Sequence, residues 1–143
     1  MEEQLPRDLL QGWLVLVVDD DPDSQDIAAL ILRYYGATVI TANNGQEGLE
    51  AVRKERPRFI ISDLNMPLMN GWEMLHELQL NRTTADIPAI ALTAHGMVGD
   101  RDRAIAAGFL NFLTKPLTPK TFMKDLLILM LDIPELAAHI ALR

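Results

Sequence analysis

The chain has 143 residues, no cysteine and a formal net charge of -7 at pH 7. This length suits one domain whose core needs no disulfide or metal to fold. The absence of cysteine excludes a disulfide framework and a thiolate zinc site, and the acidic balance without a Lys/Arg cluster argues against nucleic-acid binding. No apolar run approaches membrane-spanning length and residues 1–8 lack a secretory signal pattern, so we expect a soluble cytoplasmic protein.

Strand-like and helix-like segments alternate along the chain, which predicts an α/β fold with a doubly wound, five-stranded parallel sheet and helices on both faces. Residues 13–18 are uniformly apolar, as expected for a strand that is covered on both faces. The later predicted elements are a helix at 24–35, a strand at 38–42, a helix at 46–56, a strand at 59–62, a helix at 72–80, a strand at 89–92, a helix at 100–107, a strand at 111–114 and a helix at 118–131.

Several helix starts are predicted from capping residues. Asp23 or Ser24 is the expected cap of the first helix, whose apolar positions at helical spacing are Ile27, Leu30, Ile31 and Tyr34. Asn44 followed by Glu47 resembles a capping box. Thr118 followed by proline predicts the cap and first residue of the helix that ends near residue 131.

Residues 13–132 form the predicted domain. Residues 1–12 are assigned to an N-terminal extension and residues 133–143 to a C-terminal one. Leu136, Ile140 and Leu142 in the second extension have the spacing of a short amphipathic helix. The sequence leaves open whether this helix mediates dimers, packs on the fifth helix or belongs to a longer parent protein.

Side chains suited to phosphoryl chemistry follow several of the predicted strands. Asp19 and Asp20 follow the first strand, and Asp63 follows the third. Thr93 and Lys115 follow the fourth and the fifth. Because the carboxyl ends of parallel strands meet at one edge of a sheet, we expect these side chains to share one pocket.

Three carboxylates in one cleft repel one another, and a divalent cation is the usual way in which such a cluster is tolerated. Mg²⁺ prefers oxygen ligands and is often held by one or two carboxylates plus a phosphate, so Mg²⁺, or Mn²⁺ in its place, is the expected ion. An aspartate nucleophile, a metal, an ammonium and a hydroxyl are a sufficient set for phosphoryl transfer. Taken singly, each residue is more typical of a turn, a cap or a strand; the prediction depends on their convergence.

Read together, the segments VVDD (17–20), SDLNMP (62–67), LTA (92–94) and KP (115–116) resemble the receiver domain of two-component response regulators, most closely the single-domain chemotaxis type. The resemblance covers residues 13–131. It implies the flavodoxin-like strand order 2-1-3-4-5. It also implies a phosphoprotein of a phosphorelay, which assists its own phosphorylation and dephosphorylation but is not an enzyme acting on a separate substrate.

The resemblance also implies the roles of individual residues. Asp63 would accept a phosphoryl group from the phosphohistidine of a partner kinase or phosphotransfer protein. Asp20, Asp63 and the backbone carbonyl of Asn65 would bind the metal directly, and Asp19 would hold a metal-bound water.

The remaining implied roles concern the switch. Lys115 would contact the phosphoryl oxygens, and its bond to Pro116 would be cis. Thr93 would move toward the new phosphate and the ring of Phe112 would turn inward. The surface made by helix 4, strand 5 and helix 5 would then change for a downstream protein.

Two positions are expected to tune the lifetime of the phosphorylated state, Asn65 and His95. Protonation of His95 would make that lifetime depend on pH. Asn70 stands where the family usually has an aspartate, and this change is expected to affect only turn capping.

Other functions compatible with this fold fit the sequence less well. A haloacid-dehalogenase-type phosphatase places its nucleophile after the first strand and needs a cap domain, but Asp63 follows the third strand. A flavin-binding protein needs a phosphate loop where this chain has three carboxylates. An interaction module of the same fold that works without phosphorylation is the remaining alternative.

The expected partners are a sensor histidine kinase or phosphotransfer protein and a downstream protein target, with neither nucleic acid nor membrane, and the expected oligomeric state is a monomer or a weak homodimer. If the chain is complete, residues 132–143 are too few for an effector domain, and the output is then expected to be a protein contact, with a shuttle role in a phosphorelay as the variant. The sequence does not identify the cognate kinase, the input signal or the output partner.

Overall fold

The computed structural model describes residues 5–93 and 100–141. The strands are β1 (Leu14–Val18), β2 (Thr38–Ala42), β3 (Phe59–Asp63), β4 (Ala89–Thr93) and β5 (Asn111–Thr114). The helices are α1 (Pro22–Tyr34), α2 (Gly45–Glu55), α3 (Gly71–Gln79), α4 (Asp100–Ala107), α5 (Phe122–Leu131) and α6 (Pro134–Ala141). The strands form one parallel sheet in the order β2-β1-β3-β4-β5, which confirms the predicted fold class and strand order.

An apolar core lies on each face of the sheet. On one face, Val15 and Val17 pack with α1 and α5, and on the other, Leu16 and Val18 pack with α2 and α3. All four of these β1 side chains are fully buried. The uniformly apolar sequence of β1 follows from this double cover, because successive side chains of a strand point to opposite faces.

The strand register places the functional ends of the strands side by side. Val18 of β1 pairs with Ser62 of β3, so the residues that follow them, Asp19 and Asp63, leave the sheet at the same level. Thr93 of β4 pairs with Thr114 of β5. The polar ends of β1, β3, β4 and β5 therefore form one edge.

The predicted cap of α1 is wrong. Asp21, not Asp23 or Ser24, is the cap, and its carboxylate accepts hydrogen bonds from the Asp23 N–H at 3.1 Å and from the Ser24 hydroxyl at 3.0 Å. The helix begins earlier because Pro22, which has no N–H to lose, occupies its first turn.

The predicted buried face of α1 is also partly wrong. Leu30 and Tyr34 are exposed, with 68% and 53% of their surface accessible, while Ala28, Ala29 and Leu32 are buried. Small residues let α1 lie close to the sheet, so the buried stripe differs from the one that the larger side chains indicate.

The predicted cap of α2 is confirmed, but its capping box is incomplete. Asn44 caps α2 and accepts from the Glu47 N–H at 2.9 Å, but the Glu47 carboxylate accepts from the Asn43 N–H, so the predicted capping box is half formed. A full capping box is found at the start of α3, between Asn70 and Glu73, and the asparagine at position 70 therefore serves as a helix cap.

The last helix of the predicted domain starts later than the sequence indicates. The Thr118 carbonyl accepts the N–H groups of Thr121 and Phe122, which makes a separate turn before α5 begins at Phe122. The hydroxyls of Thr118 and Thr121 bond to each other. Since the Thr118 hydroxyl is used in this way, it does not cap the helix.

Both terminal segments join the core beside α5. Leu10, Trp13, Ile133 and Leu136 are buried in the same cluster, and α6 packs against α5. The predicted short helix is therefore present; Leu142, which was expected to extend it, lies outside the described residues. None of the helices in the described ranges is long and apolar enough to span a membrane.

We expect Leu136→Ala to lower the free energy of unfolding by about 2–4 kcal/mol, because it removes a buried side chain and leaves a cavity. Leu136 is 1% exposed, and Leu131, which is 52% exposed at the end of α5, offers a matched control. Leu131→Ala should cost less than about 1 kcal/mol. Urea denaturation followed by circular dichroism measures both, and equal losses would contradict the assigned packing of α6.

Candidate functional site

Three carboxylates converge at the carboxyl edge of the sheet, as the sequence predicts. The carboxylate oxygens that Asp19, Asp20 and Asp63 offer lie within 4.8 Å of one another. Asp19 is fully buried and Asp63 is 6% exposed, whereas Asp20 is exposed. Two of the three negative charges are therefore held out of bulk water, where their mutual repulsion is strong.

Lys115 supplies the positive charge of the site. Its Nζ atom donates a hydrogen bond to Asp19 Oδ1 at 3.1 Å and another to Asp63 Oδ2 at 3.1 Å. The Lys115-Pro116 peptide bond is cis. The Lys115 N–H also donates to the Thr93 carbonyl at 2.8 Å, so the ends of β4 and β5 are joined beside the acidic cluster.

Backbone N–H groups hold the two buried carboxylates. The Asp21 N–H donates to Asp19 Oδ1 at 2.9 Å, and the Asn65 N–H donates to Asp63 Oδ1 at 3.2 Å. Gly71 packs directly against the backbone at Asp63, where an added Cβ would lie 2.2 Å from the Asp63 carbonyl oxygen. Only glycine leaves the β3–α3 loop in this position.

The charges and burial of the site shift two pKa values. Burial raises the pKa of Asp19 to about 6 and the Asp63 charge adds to this, against the lowering effect of the Asp21 N–H and of Lys115. Burial alone would lower the pKa of Lys115, but hydrogen bonds and charges from Asp19 and Asp63 outweigh it and raise that pKa. Lys115 therefore stays charged, while Asp19 is poorly compensated by protein groups.

The donor set fits a hard divalent cation. The Oδ2 atom of Asp19 is buried and accepts no hydrogen bond from any described residue; the Lys115 ammonium lies 3.0 Å away but donates to Asp19 Oδ1 and to Asp63. A buried carboxylate oxygen that accepts no hydrogen bond is costly, and a further cation or its water would lower this cost. Together with the oxygens of Asp20 and Asp63, this atom suits Mg²⁺ or Mn²⁺ better than a softer metal.

The two predicted switch residues lie at different depths. Thr93 is 3% exposed at the end of β4. Phe112 on β5 is half-buried, and the Arg101 guanidinium lies 5.3 Å from the centre of its ring. Phe112 also lines a cavity of about 320 Å³ between β5 and α5. The predicted tuning residue His95 lies outside the described residues.

One side chain at this edge was missed by the sequence analysis. The Gln25 amide on α1 donates to the Asp19 backbone carbonyl at 3.0 Å. A glutamine on a helix carries no motif, and only the three-dimensional structure reveals that it reaches the end of β1.

Residues 15–127 match the family model "Response regulator receiver domain". The match covers most of the chain, so the protein belongs to the response regulator receiver domain family. This assignment agrees with the strand order and with the acidic cluster at the carboxyl edge of the sheet.

Solved structures of receiver proteins resemble this fold. The chemotaxis response regulator CheY4 of Vibrio cholerae has a TM-score of 0.76 and 32% identity, over 82% of this chain and 98% of that chain. The receiver domain of sensor histidine kinase PA1611 from Pseudomonas aeruginosa PAO1, solved with a magnesium ion coordinated in its active site cleft, has a TM-score of 0.72 and 28% identity, over 80% of this chain and 94% of that chain.

Curated relatives differ in length. An uncharacterized 14.6 kDa protein of Leptolyngbya boryana is 41% identical over 73% of this chain and 80% of its own length. The transcriptional regulatory protein GlrR of Escherichia coli is 40% identical over 71% of this chain, but the match spans only 22% of its length. The chain therefore matches a small part of some relatives and most of another.

We expect the free energy of unfolding, measured with EDTA present, to fall as the pH rises from about 4 to about 6. An acid whose pKa is raised on folding binds its proton more tightly in the folded state, so ionising it destabilises the fold. Asp19, whose pKa rises from 3.8 to about 6, is such an acid. Asp19→Asn should flatten this slope in urea denaturation across the window. Asp132→Asn, at the exposed end of α5, controls for the loss of one charge, and an unchanged Asp19→Asn slope would contradict the assignment.

Proposed function

We propose that this protein is a signalling phosphoacceptor in which Asp63 takes a phosphoryl group from the phosphohistidine of a sensor histidine kinase or phosphotransfer protein. In the transfer, the phosphorus–nitrogen bond to histidine breaks and a phosphorus–oxygen bond to the Asp63 carboxylate forms. The bonding electron pair stays on the nitrogen, and the histidine, protonated on its other ring nitrogen before the transfer, leaves as neutral imidazole. Residues 13–132 form the receiver domain in this proposal, and residues 1–12 and 133–143 are extensions outside it.

The observation that carries this proposal is the contact of one ammonium with two buried carboxylates. Lys115 Nζ lies 3.1 Å from Asp63 Oδ2 and 3.0 Å from Asp19 Oδ2. If Lys115 only balanced the charge of Asp63, its contact with the Asp19 carboxylate would not be needed. The pair supports a site in which the ammonium is aimed at the position that phosphoryl oxygens would occupy on Asp63.

Mg²⁺ or Mn²⁺ would be held by Asp20, Asp63 and the backbone carbonyl of Asn65, with Asp19 holding a metal-bound water. When bound, the cation would neutralise the charge of the incoming phosphoryl group. Lys115 would stabilise the negative charge that develops on the phosphoryl oxygens. The backbone N–H of Asn65, which donates to Asp63, would keep the acceptor carboxylate oriented toward the donor.

The output of the switch is proposed to be the surface of α4, β5 and α5. A phosphoryl group adds about two negative charges at pH 7, so the Thr93 hydroxyl would be drawn toward Asp63. Phe112 would then turn inward from its half-buried position beside the β5–α5 cavity. A downstream protein would bind one of the two arrangements more tightly.

We expect the protein to gain one phosphoryl group when it is incubated with acetyl phosphate and Mg²⁺, because this small donor replaces the kinase. Intact mass spectrometry measures the adduct. Asp63→Asn, or EDTA in place of Mg²⁺, should abolish it, whereas Asp132→Asn should not. If no adduct forms with acetyl phosphate or with candidate kinases, the site is inactive and the chain is an interaction module that works without phosphorylation.

We expect Lys115→Met to slow formation of the adduct on the order of a hundredfold, because the ammonium no longer meets the developing negative charge. Lys120→Met is the matched control, since Lys120 is exposed in the turn before α5, and its rate should equal that of the wild type. The measurement is the initial rate of mass gain at fixed Mg²⁺ and acetyl phosphate. Equal rates for both variants would contradict the assigned role of Lys115.

A further inference from the structure

Gln25 lies half-buried on α1 and directs its side-chain amide at the end of the sheet. Its Nε2 atom lies 3.0 Å from the carbonyl oxygen of Asp19, 3.0 Å from that of Ala42 and 3.1 Å from the Asn43 side-chain oxygen. An amide nitrogen carries two hydrogens, so three acceptors from the ends of β1 and β2 share them. Gln25 therefore joins two loops at the carboxyl edge.

The position of this contact in the sheet is specific. The last paired residues of β1 and β2 are Val18 and Ala42, and the Asp19 N–H still donates to the Ala42 carbonyl at 3.0 Å. The donor to the Asp19 carbonyl comes instead from a side chain, that of Gln25. Gln25 thus extends the hydrogen bonding of β1 by one residue, to the peptide plane that joins Asp19 to Asp20.

This peptide plane determines where the Asp20 carboxylate can lie. Asp20 is exposed, and its side chain makes no hydrogen bond or ion pair with any described residue. Its neighbours Asp19 and Asp21 are also acidic, and like charges push the carboxylates apart. Since no described residue holds the Asp20 carboxylate by a hydrogen bond or an ion pair, its position within reach of Asp19 and Asp63 depends mainly on its backbone.

We infer that Gln25 is a positioning residue for divalent-cation binding, which fixes the peptide plane between Asp19 and Asp20 and so presents Asp20 to the ion. This inference rests on the proposed function, since it concerns the metal site of that function. The Gln25 amide is used in its bonds to the ends of β1 and β2, so the inferred effect on the ion acts through the backbone of Asp19 and Asp20. Removing a group that orients a metal-ligating residue without binding the metal itself typically weakens metal affinity by 10- to 100-fold.

The test is the Mg²⁺ dissociation constant, measured by isothermal titration calorimetry on the full chain. Gln25→Met keeps the length of the side chain but has no donor, and it should raise the dissociation constant about tenfold. Gln46→Met, at an exposed position on α2, is the matched control and should leave the constant unchanged. Circular dichroism and urea denaturation establish that each variant is folded at the titration temperature.

Gln25→Glu separates positioning from charge. Glutamate has the shape of glutamine but carries one negative charge. Its carboxylate oxygen would replace the Nε2 donor and would face the three oxygens that now accept from Gln25. If only the added charge mattered, its attraction for the cation would make Mg²⁺ bind more tightly. If Gln25 positions Asp20, loss of its donor makes Mg²⁺ bind more weakly, by about tenfold or more. This second variant also keeps the test decisive if Gln25→Met does not fold.

Each outcome has one meaning. Weaker Mg²⁺ binding in both Gln25 variants, with Gln46→Met unchanged, supports the inference. A wild-type constant in Gln25→Met, or tighter binding in Gln25→Glu, overturns it and leaves the proposed function intact. A wild-type protein that binds no Mg²⁺ overturns both.

Discussion

Repulsion between buried carboxylates is the constraint on which the site depends. Asp19 and Asp63 leave neighbouring strands at the same level, so the parallel register itself brings their charges together. Lys115 lies between them and contacts both. One ammonium cannot compensate two buried carboxylates and a third beside them. Burial, with a smaller contribution from the Asp63 charge, raises the pKa of Asp19 in spite of Lys115. The excess of negative charge is what favours a divalent cation at this site.

The sequence predicts the fold because its strong signals are short-range. Apolar runs of strand length between helix-period segments indicate a parallel sheet, and the carboxyl ends of such strands necessarily share an edge. The topology places Asp19, Asp63 and Lys115 at one edge of the sheet, and the long side chain of Lys115 then reaches past β4 to both carboxylates. The metal and phosphoryl roles of these residues depend on the family resemblance and stay predictions.

The starts of α1 and α5 and the Gln25 contact are not predicted by the sequence, because several polar groups compete for the same hydrogen bonds. Position 118 reads as a cap, but its hydroxyl bonds to Thr121 and the helix starts later. Asp21 outcompetes Asp23 and Ser24 as the cap of α1 because Pro22 fixes where that helix begins. Gln25 has no sequence signal, since its acceptors come from the ends of β1 and β2, residues 19 and 42–43. Which of the competing hydrogen bonds forms is known only once the segments are placed relative to one another in three dimensions.

The two ends of the sheet differ in what holds them: apolar packing stabilises the amino end, whereas the carboxyl end carries the charged candidate site. At the amino end, Trp13 packs in one apolar cluster with Leu10 of the N-terminal segment and Leu136 of the C-terminal segment. At the carboxyl end, the side chains are charged, and Asp19 and Asp63 are each held by one backbone N–H from a loop and by the shared Lys115 ammonium. Apolar burial contributes to folding without depending on the protonation or phosphorylation of any group. The packing at the amino end is therefore independent of the charge at Asp63, and the loops at the carboxyl end, which are held by few hydrogen bonds, are the part of the fold that opens most easily.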